Sequence, residues 1–357
     1  MAPTQSLPDH SPPARTLRRP AELVEQGLVS AERLPALEAV ARSFAVAVTP
    51  AMAAAIDPAD PADPIAAQFV PSEAELTVLP EERADPIGDE PFSPVKGIVH
   101  RYHDRVLLKP VHVCPIYCRF CFRREMVGPG GEGLDAAELD AALAYIASRP
   151  QIWEVVMTGG DPMILAPRRM AELVERLNAI AHLGLVRIHT RVPIVDPDRI
   201  TAELVAALKG SRIPTWVMLH SNHWQELTQA ARAAIGRLVD AGIPMLAQTV
   251  LLKGINDDVE TLTRTFRALV GARVKPHYLH HGDLAKGTSH FRTSLAEGQA
   301  LMRALRGDVS GLCQPTYVLD IPGGHGKVPV GPGYLTDHGD GQWTVEDPRG
   351  NRHAYRG

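Results

Sequence analysis

From Val106 onwards the chain alternates between short apolar, β-branched runs and amphipathic stretches of helical length. The runs are Val106–Lys109, Ile152–Met157, Val186–Thr190, Thr215–His220, Met245–Leu251 and Val274–Leu279. They are short and rich in Val, Ile and Thr, which marks them as strands. Between them the spacing predicts helices over Asp135–Ser148, Pro167–Ala181, Asp198–Lys209, Glu226–Ala241 and Asp257–Val270. In two of these an Asp is followed three residues later by Glu (Asp135/Glu138 and Asp257/Glu260), the pattern of a capping box. Gly242 follows its helix as a stop signal. Strands joined by helical crossovers run parallel, so the pattern demands an α/β fold. Periodicity does not say whether the sheet closes.

The flanks read differently. Residues 1–20 are polar and Pro-rich, a lead-in expected to be disordered. Pro20 to about Ala47 has helical spacing, and the Pro-broken stretch Ile56–Phe69 is expected to wrap the main unit in extended form. A helix-like stretch (Leu295–Leu305) and a last apolar run (Thr316–Leu319) follow the alternating region, and the tail QWTVEDPRGNRHAYR reads as a β-hairpin. The expected division is a lead (1–20), a helical and wrapping region (21–95), an α/β unit (96–308) and a C-terminal segment (309–357). A length of 357 residues suits either two domains or one large α/β barrel with appendages.

A net charge of −4 supplies no basic field for phosphate backbones, so nucleic acid is not an expected partner. The longest charge-free run, Ser43–Ile56, contains Pro50 and is too short to span a bilayer. The N-terminus lacks the apolar core of a secretory signal, and cysteines clustered in place of a disulfide scaffold make a cytoplasmic location the expectation.

Three of the four cysteines, Cys114, Cys118 and Cys121, form C-x3-C-x2-C just beyond the first expected strand. Such clustering points to metal rather than disulfides. Thiolates bind soft metals and iron–sulfur clusters, and three local ligands would leave one iron of a four-iron cluster open. The alternative is a structural zinc site completed by His112 or Cys313, although zinc sites usually come as paired C-x2–4-C units.

The triplet resembles that of the radical S-adenosylmethionine superfamily. So does the strand ending Val155-Val156-Met157-Thr158-Gly159-Gly160-Asp161-Pro162. That resemblance implies a partial (β/α)6 barrel, with S-adenosylmethionine chelating the open iron. It also implies that Gly159, Gly160 and Asp161 approach the methionyl ammonium.

A second centre is Pro322-Gly323-Gly324-His325-Gly326-Lys327, where glycines let the backbone pass close to a ligand ahead of a lysine able to bond an aldehyde cofactor. Residues 85–340 are similar to the lysine 2,3-aminomutase family in HRYHDRVLL, CPIYCRFCFRR, TGGDP, RVPIV, AQTVLLKGIND, HGDLAKGTSHFRT and PGGHGKVPV. The resemblance implies that Lys327 carries pyridoxal 5′-phosphate, that Arg101, Tyr102 and Arg105 hold its phosphate, and that Gln248 lines its pocket. It implies that Arg123 pairs with the substrate α-carboxylate, while Asp283 and Asp320 hold the distal ammonium of lysine. The implied reaction moves the 2-amino group of lysine to C3 by radical chemistry, with a flavodoxin- or ferredoxin-type reductant. Glutamate or arginine as substrate, β-lysine supply for modification of a translation elongation factor, and a non-enzymatic iron–sulfur sensor are the rival readings.

The chain departs from the family pattern in having no cysteine after Cys313, and Ile235 aligns with a cysteine that ligates an inter-subunit zinc elsewhere. Any homo-oligomer is therefore expected to form without that zinc, and Cys313 to be a buried thiol. Phe120 stands where some members have a His beside the adenine.

Overall fold

The computed structural model describes residues 12–127, 133–210 and 212–357. Among them the main sheet has nine strands in sequential order. These are β1 (Ile98–Tyr102), β2 (Arg105–Val111), β3 (Glu154–Gly159), β4 (Leu185–Thr190), β5 (Thr215–His220), β6 (Met245–Val250), β7 (Lys275–His280), β8 (Thr316–Ile321) and β9 (Gly326–Pro329). Strands β2 to β8 pair in parallel; β1 and β9 pair antiparallel at the two edges. All six expected strands are present, with ends shifted by at most two residues. The run Thr316–Leu319 joins as a further parallel strand, and β1 and β9 add an edge each. Polar residues such as His100, Arg101 and Lys327 obscured those edges in the sequence. Strands β8 and β9, from the C-terminal segment, continue the same sheet.

The edges approach each other without pairing. Lys327 N–H on β9 donates a 2.8 Å hydrogen bond to the Tyr102 hydroxyl on β1. The sheet is thus a nearly closed barrel, as the resemblance implied.

Side chains alternate across a strand with period two, and the barrel sorts them accordingly. Val155, Val186, Ile188, Val217, Leu219, Met245, Ala247, Leu279 and Tyr317 are buried in the main core. The alternate residues line the interior: Val156 and Thr158, Arg187 and His189, Trp216 and His220, Leu246 and Gln248, Tyr278 and His280, Val318 and Asp320. Near the opposite end of the barrel, Glu154 accepts a 2.8 Å ion pair from Arg187.

Ahead of the sheet lie α1 (Pro20–Glu25), α2 (Leu34–Ala41), α3 (Pro50–Ala53) and α4 (Pro64–Phe69). The crossovers carry α5 (Ala136–Ala147), α6 (Pro167–Asn178), α7 (Val192–Val195), α8 (Ala202–Ala207), α9 (Gln229–Asp240), α10 (Val259–Gly271) and α11 (Leu295–Asp308). The expected long helix from Pro20 is split by Gly27 at φ +69° and restarts with Pro35 in the first turn of α2. The Ile56–Phe69 stretch is not wholly extended: Asp63 accepts from the N–H groups of Ile65 and Ala66 and caps α4. The Asp198–Lys209 helix shrinks to α8, capped by Thr201. The Asp135/Glu138 capping box forms, whereas α10 is capped by Asp258 accepting from Thr261, because Asp257 accepts from Gly254 instead.

Of the expected disordered lead, residues 1–11 lie outside the described part. Leu17 is 4 % exposed and bridges to Val48, so the remainder is tied down. The tail hairpin, β11 (Gln342–Glu346) with β12 (Arg352–Arg356), is joined by β10 (Leu335–Asp337) in a separate three-stranded sheet. (β10 precedes β11 in the chain.) Among the described residues no helix is long and apolar enough to cross a membrane.

Candidate active site

The three clustered cysteines sit on the loop leaving the C-terminal end of β2. That loop is stitched to the turn after β3: Gly160 N–H donates to Val111 O at 2.8 Å and Asp161 N–H to Val113 O at 3.0 Å. A Cβ on Gly160 would lie 2.3 Å from Val113 O, so only glycine permits the approach. The two superfamily motifs are thus one physical unit. Asp161 accepts from Met163 N–H, the Thr190 hydroxyl (2.7 Å) and Arg191 N–H (2.6 Å). Its carboxylate thereby braces the turn.

From outside, the N-terminal region clamps the same loop. Glu75, fully buried, accepts from Arg119 Nε at 2.9 Å and pairs with Arg124. Arg124 also donates to Gly287 O at 3.1 Å. Arg191 donates to Cys118 Sγ at 3.3 Å and is held in turn by Glu226 and Gln68. Burial pushes all three thiols up, Cys121 to about 11 with the neighbouring Cys118 adding to it. Such thiols ionise when a metal centre supplies positive charge. Among the described residues no three His, Cys, Asp or Glu side chains are grouped to hold a single metal ion. Cys313 is 4 % exposed within the main core, and neither it nor His112 lines the cavity that the triplet faces. The two residues that could complete a zinc site therefore do not join the triplet at this cavity, and three thiols on its wall suit a cluster with one iron left open.

The lysine turn packs on the segment before β1. Gly323, Gly324 and Gly326 adopt φ of +86°, +86° and +93°. A Cβ on Gly324 would stand 2.4 Å from Phe92. Lys327 Nζ donates to Asp320 Oδ2 at 2.6 Å and lies 3.1 Å from His280 Nδ1. Burial, aided by the Lys327 charge, lowers the His280 pKa and favours the neutral ring. Burial alone would raise Asp320, but His280 and Lys327 outweigh it and hold the carboxyl down to about 2. Asp283 goes the other way: burial and the Asp320 charge raise it to about 7.

A cationic wall faces these acids. Arg101 donates to Ile87 O (2.8 Å), Gly88 O (3.1 Å) and Asp89 Oδ1 (3.0 Å). Arg123 pairs with Asp89 Oδ2. Arg105 stacks 3.9 Å over the Tyr102 ring and pairs with Asp104 at 2.8 Å. Gln248 approaches His189 Nδ1 at 3.4 Å.

The residues that the resemblance assigns to the cluster, the cofactors and the substrate line one cavity of about 820 Å³: Cys114, Cys118, Cys121, Gly159, Gly160, Asp161, Arg101, Tyr102, Arg105, Arg123, Gln248, Asp283, Asp320 and Lys327. That volume is typical of a cofactor and substrate pocket. Arg101 Nε and the Nε2 atoms of His189, His220 and His280 are buried without a partner and belong to residues of this wall. Unsatisfied polar atoms beside a cavity call for polar ligand atoms. The donor set fits a phosphorylated aldehyde at the lysine end and a cluster with its nucleoside at the cysteine end.

Several site residues escaped the sequence reading. Asp89 lies in the region assigned to wrapping. His280 was one of several histidines around the same strand, and only the strand's parity selects it. Arg191, in the RVPIV piece, gave no signal for its contact with Cys118. Phe120 packs edge-on against His220 (centroids 5.8 Å apart) and Phe291 (6.3 Å) at the cavity wall. Ile235 is fully buried in this chain's own core.

Residues 108–266 match the family model of the radical SAM superfamily, and residues 302–351 match that of lysine-2,3-aminomutase. The chain is 42 % identical to the L-lysine 2,3-aminomutase of Acetoanaerobium sticklandii, over 81 % of this chain and 70 % of that protein. It is 40 % identical to the enzyme of the same name from Clostridium subterminale, over 82 % of this chain and 70 % of that protein. Identity to the glutamate 2,3-aminomutase of Clostridioides difficile is 36 %, over 85 % and 71 %. With the cysteine loop and the lysine turn facing a shared cavity and these relatives matching across both, the chain belongs to the lysine 2,3-aminomutase family of the radical S-adenosylmethionine superfamily.

Proposed function

We propose that this enzyme is an isomerase that moves the 2-amino group of L-lysine to C3, giving β-lysine. The observation that carries the substrate choice is the pair Asp283 and Asp320 on the cavity wall. Two carboxylates in a poorly hydrated pocket attract a distal ammonium and repel the second carboxylate of glutamate. When bound, the four-iron cluster with S-adenosylmethionine supplies the radical that takes the C3 hydrogen, and pyridoxal 5′-phosphate supplies the π-system across which nitrogen migrates.

The chain's own residues do the rest. Cys114, Cys118 and Cys121 hold the cluster, and the backbone of Gly159 and Gly160, braced by Asp161, shapes the bed for the methionyl end of S-adenosylmethionine. Lys327 is the anchor for pyridoxal phosphate. Arg101, Tyr102 and Arg105 bind the phosphate, for which guanidinium geometry is suited, and Gln248 borders the ring. Arg123 binds the substrate α-carboxylate. Neutral His280, 3.1 Å from Lys327 Nζ, can accept a hydrogen bond from that nitrogen at Nδ1. Asp320 balances the charge that Lys327 carries. The nearly closed barrel keeps water from the reacting carbons.

The proposal extends to a flavodoxin- or ferredoxin-type reductant as protein partner, a cytoplasmic location, and any oligomer built without inter-subunit zinc. Residues 21–95 wrap the barrel of 96–308, and 309–357 deliver Lys327. Anaerobically reconstituted protein given S-adenosylmethionine, reductant and lysine, glutamate or arginine in separate reactions tests the proposal. β-Lysine is the expected product; rearrangement of another amino acid in its place would refute the lysine assignment.

A further inference from the structure

Asp89 sits in the stretch before β1 and is 2 % exposed. Its two carboxylate oxygens take different arginines: Oδ1 accepts from Arg101 at 3.0 Å and Oδ2 pairs with Arg123. Each arginine keeps other N–H groups free of this carboxylate. Arg101 directs one terminal nitrogen to Ile87 O, Gly88 O and Asp89, while its Nε is buried and unpartnered. Arg123 meets Asp89 through one terminal nitrogen. A fork held from behind in this way presents its remaining edge in a fixed direction, the condition for bidentate recognition of an anion.

Asp89 is itself fixed. Its N–H donates to Asp85 Oδ1 at 2.9 Å, and its carbonyl accepts from the Ser93 hydroxyl at 2.9 Å. The same stretch touches the lysine turn, for a Cβ on Gly88 would lie 2.6 Å from the Gly323 carbonyl carbon and from Gly324 N. One short segment therefore contacts the anchor of the cofactor and both guanidiniums.

We propose that Asp89 is a positioning residue that orients Arg101 and Arg123 together, coupling the site for the cofactor phosphate to the site for the substrate α-carboxylate. The inference deepens the function proposed above and rests on its assignment of those arginines. Asp89 touches neither cofactor nor substrate; it acts through the two cations.

The test uses reconstituted holoenzyme carrying Asp89→Asn, Arg123→Lys or both, and Arg101→Lys. The readouts are the pyridoxal phosphate dissociation constant by absorbance titration, KM and kcat for lysine, iron per chain and melting temperature. Loss of a charge-assisted hydrogen bond to each arginine should raise both the lysine KM and the cofactor dissociation constant about tenfold or more in Asp89→Asn. kcat should stay within about threefold and iron content should be unchanged. The double variant should bind lysine no worse than Arg123→Lys alone, since Asp89 acts through that side chain. Unchanged constants in a folded Asp89→Asn protein, or fully additive effects in the double variant, would overturn the coupling. Should Asp89→Asn not fold, Asp85→Ala removes the acceptor of the Asp89 N–H while keeping the Asp89 carboxylate, and must raise both constants; if it raises neither, the inference is wrong. Arg101→Lys and Arg123→Lys separate the two levels: if neither affects its anion, the arginine assignments fail, whereas a null result confined to Asp89 removes only the coupling.

Discussion

Asp283 and Asp320 share a wall yet titrate in opposite directions, and the cause is the company each keeps. Asp320 has Lys327 at 2.6 Å; Asp283 has burial and the Asp320 charge against its ionisation, and is raised to about 7. Below that pH Asp283 is neutral and gives a lysine ammonium little attraction. As pH rises through it, the carboxylate forms. The lysine KM should fall between pH 6 and 8, and Asp283→Asn should raise KM at pH 8 and flatten the profile; steady-state kinetics at fixed cofactor saturation checks this. The stability sign is opposite. The folded state retains a proton that the unfolded chain loses in the ordinary carboxylate range, so stability falls as pH rises from that range to about 7. Asp283→Asn should therefore melt no lower than the parent at pH 8, a trade of stability for binding. At the same scale, Lys327→Ala should abolish the absorption band of lysine-bound pyridoxal phosphate while leaving iron content intact.

At the scale of elements, the cysteine loop is a segment without regular structure whose shape is imposed by its neighbours. Glu75 is its external clamp, and it is fully buried with two arginines. Removing one member of a buried ion network costs about 3–5 kcal/mol, since the remaining charges lose their partner. Glu75→Gln should lower the melting temperature and reduce iron per chain after reconstitution. Gly160→Ala should also reduce iron, by forcing the β3 turn away from Val113. The strands were legible because each is a short, local apolar run rich in β-branched residues. The Asp135/Glu138 cap was legible for the same reason: it is local. The cap of α10 was misplaced by one residue because two adjacent aspartates were available, and a loop hydrogen bond chose between them.

For the whole molecule, the seam between β1 and β9 is the point where the barrel nearly closes. Tyr102→Phe removes the acceptor for Lys327 N–H. A lost neutral hydrogen bond costs about 1 kcal/mol, so the fold should survive with a small drop in melting temperature. Because the affected strand carries Lys327, cofactor retention should weaken more than stability does, and dialysis followed by absorbance reports it.

Covalent spacing and short-range periodicity determined much of this protein from sequence alone. C-x3-C-x2-C presents three soft donors together, the glycines of the lysine turn permit positive φ, and alternating strands and helices require a parallel sheet. What the tertiary structure decided lies between residues far apart in the chain: Glu75 with Arg119, Asp89 with Arg123, His280 with Lys327, Arg191 with Cys118. No local pattern contains those pairs, because they arise only when a nine-stranded sheet curls and turns one parity of side chains inward. Burial within that curl then sets which acid is charged and which histidine is neutral.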